Sequence, residues 1–216
     1  FHARIAPTYK FAEGFTLTES VNYTLNRNSQ RYYRPVGGVP TFYIDGMGTV
    51  QNQSASLFAK EETLMSDTRL RFARQFGAHS LDVFGGFRYT GFEFEANQPS
   101  GQNQSGGNDK TPNISSGMTF KDATGEDDSW RTLTWYAQAD YNYRNRYFLE
   151  VALGMESNSR FGDDATSLKM GGVCWGLFPS VQSGWVLTNE SWFPTNVGIN
   201  YLRLNAGYDI SGNDDI

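Results

Sequence analysis

The stretch Trp130–Gly162, WRTLTWYAQADYNYRNRYFLEVALGMESNSRFG, decides the fold. Leu133, Trp135, Ala137, Ala139, Tyr141 and Tyr143 alternate with Thr132, Thr134, Tyr136, Gln138, Asp140 and Asn142. That period of two sends successive side chains to opposite faces of a strand. Tyr147, Leu149, Val151, Leu153 and Met155 alternate in the same way with Phe148, Glu150, Ala152, Gly154 and Glu156. Arg144 and Asn145 between the two runs predict a tight turn, so the stretch is a hairpin with one apolar and one polar face. Each arm exceeds the roughly 5–6 residues of an ordinary strand and matches the roughly 9–11 that a tilted strand needs to cross a bilayer. Tyr141, Tyr143 and Tyr147 gather at the turn end of the apolar face, where an interfacial aromatic girdle would lie. Alternation does not say which solvent each face meets, because the core face of a soluble barrel or sandwich has the same period.

Outward from this hairpin, the 216-residue chain keeps the same character. Aromatic residues make up 15%, glycines number 23 and charged residues only 19%, a mix suited to strands and turns and poor for surface helices. Mean hydropathy is −0.53 and no run of 18 or more apolar residues is present, which excludes a helical membrane protein. A barrel stays open, since half of every barrel strand faces a wet interior. A net charge of −5 with both signs interspersed offers no basic stripe for phosphates, so no nucleic acid is expected as a partner. The single cysteine, Cys174, leaves no disulfide framework to read. The chain opens without Met and without a signal peptide, on residues already strand-like.

Taken in order, Ala3–Phe11 predicts a strand interrupted by Pro7, and Glu13-Gly14 a turn. Phe15, Leu17, Val21, Tyr23 and Leu25 then alternate with polar residues, and Glu19 falls on their apolar face. Asn26–Glu62 reads as a long loop through Pro35, Gly37-Gly38, Pro40, the turn Gly46-Met47-Gly48 and polar residues 51–56. Leu64–Phe76 resumes the alternation, with Arg74 outward near its end. Gly77, Ala78 and His79 turn the chain, and Leu81, Val83, Phe87 and Tyr89 return it. Gly91–Asp128 is a second long polar loop carrying Pro99, Gly101, Gly106, Gly107, Pro112 and the acids Asp122, Glu126, Asp127 and Asp128. Asn158–Gly172 is a third. A strand over Val173–Leu187 and a moderate connection, Thr188–Gly198, lead to Leu202, Leu204, Ala206 and Tyr208.

The reading is all-β, with about eight antiparallel strands whose connections run short, long, short, long, short, long, moderate. Outer-membrane barrels show this asymmetry, with brief turns on one side and long loops on the other. A ligand-binding soluble barrel can also keep its long loops at one end.

Three blocks bring in a family. Residues 143–162, ending NRYFLEVALGMESNSRFG, resemble a strand–turn–strand that leads into a D-G-S-S-R-F-G loop. Phe178, Pro179, Ser180, Val181, Gly184 and Trp185 resemble an F-P-S-V-x-x-x-W block. Residues 202–213, LRLNAGYDISGN, are similar to L-K-L-R-A-S-Y-G-x-T-G-N. In this order and spacing the blocks resemble the SusC/RagA family of TonB-dependent outer-membrane transporters of Bacteroidetes. The chain departs at Glu156-Ser157, where the family has Asp-Gly, and at Asn205, Gly207 and Asp209, where it has Arg, Ser and Gly. The likeness covers 64–216, and 1–62 is compatible with it.

The resemblance implies a transmembrane barrel of about 22 strands around a plug. Residues 1–216 would then be an internal part of that barrel domain, without the plug domain or the TonB box. It also implies an outer-membrane location in a Gram-negative, Bacteroidetes-like cell and import of oligosaccharides or peptides. The partners it implies are a SusD-like surface lipoprotein, the TonB complex and the lipid bilayer. Two other readings stay open: a complete eight-stranded outer-membrane barrel with an adhesive or structural role, and a soluble ligand-binding β-barrel.

Catalytic chemistry finds little to use. Two histidines, His2 and His79, and one cysteine give no triad or zinc spacing. Asp163-Asp164 and Asp127-Asp128 read as solvated turns rather than glycosidase pairs. Asp122, Glu126 and Asp128 could offer oxygen ligands to calcium, but their spacing matches no loop motif. No enzyme, cofactor or metal is expected. What remains is binding: if the apolar faces meet lipid, Arg88, Tyr136, Gln138, Glu156 and Arg160 line the interior toward the long-loop end, where an incoming solute would first be held.

Overall fold

The structure, a computed structural model, describes residues 1–35, 40–46, 48–50, 52–102, 118, 120–161, 168–194, 196 and 198–212, without the side chains of 42 and 44. Several positions singled out above lie outside the described residues: Gly37-Gly38, Met47, Gly106, Gly107, Pro112, Gly162, Asp163-Asp164 and the last four residues of the chain.

Among the described residues ten strands form one sheet: β1 (His2–Ile5), β2 (Thr8–Ala12), β3 (Phe15–Arg34), β6 (Gln53–Phe76), β7 (His79–Gln102), β8 (Phe120–Tyr143), β9 (Tyr147–Asn158), β10 (Leu168–Met170), β11 (Val173–Val186) and β12 (Arg203–Asp209). β4 (Phe42–Ile44) and β5 (Gly48–Val50) form a separate two-stranded hairpin. Neighbours in the sheet are largely neighbours in sequence, in the order β1-β3-β6-β7-β8-β9-β11, with β2 on β3 and both β10 and β12 on β11. Pro7 separates β1 from β2, as its missing N–H requires. Counting those two as one broken strand and setting the three-residue β10 aside leaves the about eight long strands read from the sequence.

The strands are much longer than the alternation shows. β3 continues to Arg34 and β6 begins at Gln53, so most of the expected loop 26–62 is strand. β7 runs on to Gln102 and β8 starts at Phe120, so the expected loop 91–128 is also largely strand, and Asp122, Glu126, Asp127 and Asp128 are strand residues. The reason is physical. Backbone pairing continues wherever a neighbouring strand continues, whereas an apolar stripe is needed only where one face leaves water. Over 26–31 of β3 and 121–128 of β8 both faces are largely polar, and the period of two disappears from the sequence although the strand does not. In β6 the buried positions Ser54 and Ser56 are themselves polar, and β7 keeps the alternation only briefly, in Phe92-Glu93-Phe94-Glu95.

Contacts divide the chain into two units. One comprises Ala3–Tyr23, Leu64–Gly91 and Trp130–Ile216 and holds the amphipathic runs. Here β8 and β9 pair antiparallel from Tyr143↔Tyr147 to Thr132↔Asn158, β9 pairs β11 through Val151↔Val181, and β11 pairs β12 through Val181↔Tyr208. The hairpin closes as expected: the Arg146 N–H donates to the Tyr143 carbonyl at 2.9 Å, with Arg144 and Asn145 at φ 52° and 54°. Positive φ at both central residues matches the twist of paired strands, and the Asn142 side chain supports it by accepting from the Asn145 N–H at 2.9 Å.

The apolar face of this unit is open. Trp135 is 50% exposed, Leu149, Val151 and Leu153 are each 44%, and Leu177, Val181 and Leu204 lie between 42% and 54%. No second layer among the described residues covers it, so it does not serve as the packed core that a soluble sandwich would need. Glu19 does lie on this face, and its carboxylate is satisfied there: Ser66 Oγ donates at 2.8 Å and Thr68 Oγ1 donates to the other oxygen. Arg74 lays its guanidinium over the Phe76 ring at 5.2 Å. His79 is the first residue of β7 rather than a turn residue, its Nδ1 2.7 Å from the Tyr141 hydroxyl and its ring 4.7 Å from that of Tyr143.

The other unit comprises Phe1–His2, Thr24–Thr63 and Phe92–Ser129. The β4–β5 hairpin belongs to it, and there Val50, Asn52 and Ser54 are completely buried. Gly46 and Gly48 take φ of 78° and 80°, which makes the turn expected around them.

Candidate functional site

The polar face of the first unit carries a groove of about 430 Å³ lined by Arg88, Thr90, Trp130, Thr132, Thr134, Glu156, Asn158 and Arg160. Its geometry follows from strand register. Thr132 stands opposite Asn158, and Thr134 opposite Glu156. Each pair closes a rung: Asn158 Nδ2 donates to Thr132 Oγ1 at 3.2 Å, and Thr134 Oγ1 donates to Glu156 Oε2 at 3.2 Å. At the end of β9 the Asn158 side chain accepts the Arg160 N–H at 2.9 Å, and the Arg131 N–H reaches Ser159 Oγ at 2.9 Å. These bonds fix the turn that presents Arg160.

Below the groove, Asp67 ties three strands together. Arg88 Nε on β7 donates to Asp67 Oδ2 on β6 at 2.7 Å, and the Tyr136 hydroxyl on β8 donates to Asp67 Oδ1 at 2.8 Å. The Arg88 guanidinium also lies 5.7 Å from the Tyr136 ring centre. Tyr136 spans β7 because Gly86 has no side chain: a Cβ there would sit 2.5 Å from the phenol's Cζ and oxygen. Arg88 is thereby held at its Nε edge by a carboxylate and underneath by a ring.

Arg88, Glu156 and Arg160, three of the residues singled out in the sequence, come together on this groove. Tyr136 is one rung away and acts through Asp67 and Arg88 rather than lining it. Gln138 lies further along β8, and its amide is engaged by Asp140, with Nε2 3.2 Å and 3.0 Å from the two carboxylate oxygens. It does not join the groove. Asp67, Thr90, Trp130, Thr132, Thr134 and Asn158 are not singled out by the sequence as site residues. Strand parity holds the signal for three of them, since Trp130, Thr132 and Thr134 share the polar side of β8 with Tyr136. Chemically, the groove offers an indole face, hydroxyl and amide groups, and charges of both signs. It can hold a polar solute by stacking and hydrogen bonding, and no proton-transfer pair is built into it.

No family model matches the chain. Among curated proteins it is 33% identical over 81 residues to TonB-dependent receptor P39 of Formosa agariphila, a match covering 38% of this chain and 7% of that protein. It is 18% identical over all its 216 residues to TonB-dependent receptor P3 of the same organism, covering 20% of it. It is 26% identical over 84 residues to TonB-dependent receptor SusC of Bacteroides thetaiotaomicron, covering 39% of this chain and 8% of that protein. The chain therefore matches only 7% to 20% of the length of these relatives. Among solved structures, the RagAB peptide importer in its open-open state superposes on the whole chain with a TM-score of 0.79 at 13% identity, using 22% of the importer chain. Its closed-closed state covers 96% of this chain with a TM-score of 0.74 at 12% identity. The antiparallel sheet of this chain thus reproduces a portion of that importer's fold, in agreement with the barrel segment expected from the strands. In sequence the chain is thus similar to short stretches of TonB-dependent receptors, SusC among them, and in fold to a portion of the RagAB importer.

Proposed function

We propose that this chain is part of the barrel wall of an outer-membrane importer of the SusC/RagA type, working on oligosaccharides or peptides. The supporting observation is the sheet's two-sidedness: an apolar face left about half exposed along β8, β9 and β11, backed by a polar face that carries the groove of Arg88, Trp130, Glu156 and Arg160. Lipid is the medium in which such an apolar face is stable without a covering layer. In this reading the polar face is the wall of the solute path, and Arg88, Glu156 and Arg160 touch solute near its outer end. Tyr136 positions Arg88, while Gln138 is a structural residue of the wall. The chain contributes binding rather than catalysis. The full-length protein would carry the plug and TonB box, take energy through TonB and work beneath a SusD-like lipoprotein.

The test is isolation of the full-length protein from detergent-extracted outer membranes, followed by mass spectrometry of what comes with it. A large receptor accompanied by a surface lipoprotein and bound oligosaccharide or peptide is the expected result. Recovery of the protein from the soluble fraction would overturn the proposal.

A further inference from the structure

The connection between β11 and β12 differs from the other turns at its end of the sheet. Glu13-Gly14 and Gly77-Ala78 are two-residue turns and 144–146 is a three-residue one, whereas β11 and β12 are joined by a longer connection, described at 187–194, 196 and 198–202. It begins with a 3-10 turn, Leu187–Asn189, and is pinned at both ends: the Leu187 N–H donates to the Leu202 carbonyl at 2.9 Å, and Asn189 Nδ2 donates to the Asn145 carbonyl at 2.7 Å. The segment is held against the β8–β9 turn.

A continuous row of rings leads onto it. Tyr143 stacks on Tyr147 at 6.3 Å and Tyr147 on Trp185 at 6.2 Å. Trp185 meets Trp192 edge-on at 6.1 Å, and Trp192 meets Phe193 at 6.2 Å. The first three rings end the open apolar face. The last two belong to the connection, where Trp192 is 60% exposed, with Ile199 at 48% and Tyr201 at 64%. Beneath the rings, Glu190 gathers their polar edges. The Tyr147 hydroxyl donates to its Oε1 at 2.6 Å and Trp185 Nε1 to the same oxygen at 3.0 Å, while Arg146 Nη1 lies 3.3 Å from Oε2. The Glu190 side chain is only 8% exposed. Tyr147 and Trp185 are thus fixed by their polar atoms to a paired carboxylate, and Trp192 packs edge-on against Trp185 with most of its own surface exposed.

We propose that this connection is an interfacial anchor: Trp192 and its neighbours lie in the phospholipid headgroup zone on the short-turn side of the membrane. Lipid is the occupant because the exposed rings continue the apolar face without a break, and because tryptophan and tyrosine at the end of an apolar band are what the interfacial zone favours. The anchor extends the aromatic girdle from strand ends onto a loop and fixes the depth of β11 and β12. It rests on the membrane-spanning reading of the sheet.

The experiment uses the full-length protein, with Cys174 and any other cysteine replaced, reconstituted into vesicles of phosphatidylethanolamine and phosphatidylglycerol. Single spin labels are placed through Trp192→Cys, Ser191→Cys, Val151→Cys and Ser159→Cys, and relaxation by oxygen is compared with relaxation by a water-soluble nickel chelate. The ratio of oxygen to nickel accessibility is expected to be highest at 151 and several-fold higher at 191 and 192 than at 159. A high ratio at 151 with 191 and 192 matching 159 would overturn the anchor alone. Equal, low ratios at 151 and 159 would overturn the membrane-spanning reading and the anchor with it. Should Trp192→Cys fail to fold, the label at 191 decides, because it leaves the indole in place.

Discussion

The phenol of Tyr136 lies across Gly86 and donates to Asp67 at 2.8 Å, so one glycine on β7 lets β8 reach β6. A methyl group at 86 would also come within 2.6 Å of the Thr68 carbonyl, which is backbone and cannot swing aside. Gly86→Ala is therefore an overpacking change, expected to cost about 1–3 kcal/mol in urea unfolding of the full-length protein. Tyr136→Phe removes only the hydroxyl and leaves Asp67 with Arg88, so its cost is expected near 1 kcal/mol. A Gly86→Ala protein as stable as the parent would show that Tyr136 does not need the space.

In the proposed barrel wall the two faces of β9 and β11 meet different media, and lysine distinguishes them. Val151 lies on the open apolar face opposite Val181, while Gln182 lies on the polar face opposite Glu150. Val151→Lys is expected to destabilise by roughly 2–4 kcal/mol, the cost of a lysine near the bilayer midplane. Gln182→Lys places its charge beside Glu150 and is expected to be neutral. Equal costs for the two, measured as unfolding midpoints in vesicles, would mean that the faces do not differ in this way.

How far the sequence reaches can be seen along β8. From Thr132 to Tyr143 its alternation marks a strand and assigns each side chain to a face, and both assignments hold in the structure. From Lys121 to Asp128 the same strand carries KDATGEDD, exposed on both faces from Lys121 to Asp127, and looks like a loop. Periodicity reports a difference between two surroundings and is silent where both are water. The groove was legible to the same degree. Arg88, Glu156 and Arg160 follow from parity and from nearness to the long-loop end. Asp67 does not, because its role depends on how β6, β7 and β8 are staggered and on a glycine that leaves room above it. Glu19 shows the reverse: sequence makes it a misplaced charge, and only the pairing of β3 with β6 brings Ser66 and Thr68 to it.

Trp130 supplies the one large ring of the groove, on the same side of β8 as Thr132 and Thr134. A solute that stacks there loses contact area when the indole is removed. Trp130→Ala is expected to weaken binding of the co-purified ligand by tenfold or more in calorimetry, as for a truncated aromatic anchor worth about 2 kcal/mol. Gln138→Ala, outside the groove and held by Asp140, is expected to bind as the parent does. Reversal of that order would move the site along the strand.

Glu190 gives the connection after β11 a dependence on pH. Its carboxyl is held below the usual carboxylate value, first by the hydrogen bond from Tyr147, next by that from the Trp185 indole, and further by the Arg146 charge, against the opposing effect of burial. A carboxyl whose value is lower in the folded protein adds stability that is fully present above its unfolded value of about 4.3 and disappears as pH falls through the lower folded value. Acidification should therefore leave the connection intact down to that depressed value and then release it, separating Trp185 and Tyr147 from the carboxyl that gathers them. The expected readout is a change in near-ultraviolet circular dichroism with a midpoint below 4.3, present in the parent and absent in Glu190→Gln, where nothing titrates. A transition that persists unchanged in Glu190→Gln would assign the acid response to another group and leave the Tyr147–Trp185–Glu190 cluster as packing alone.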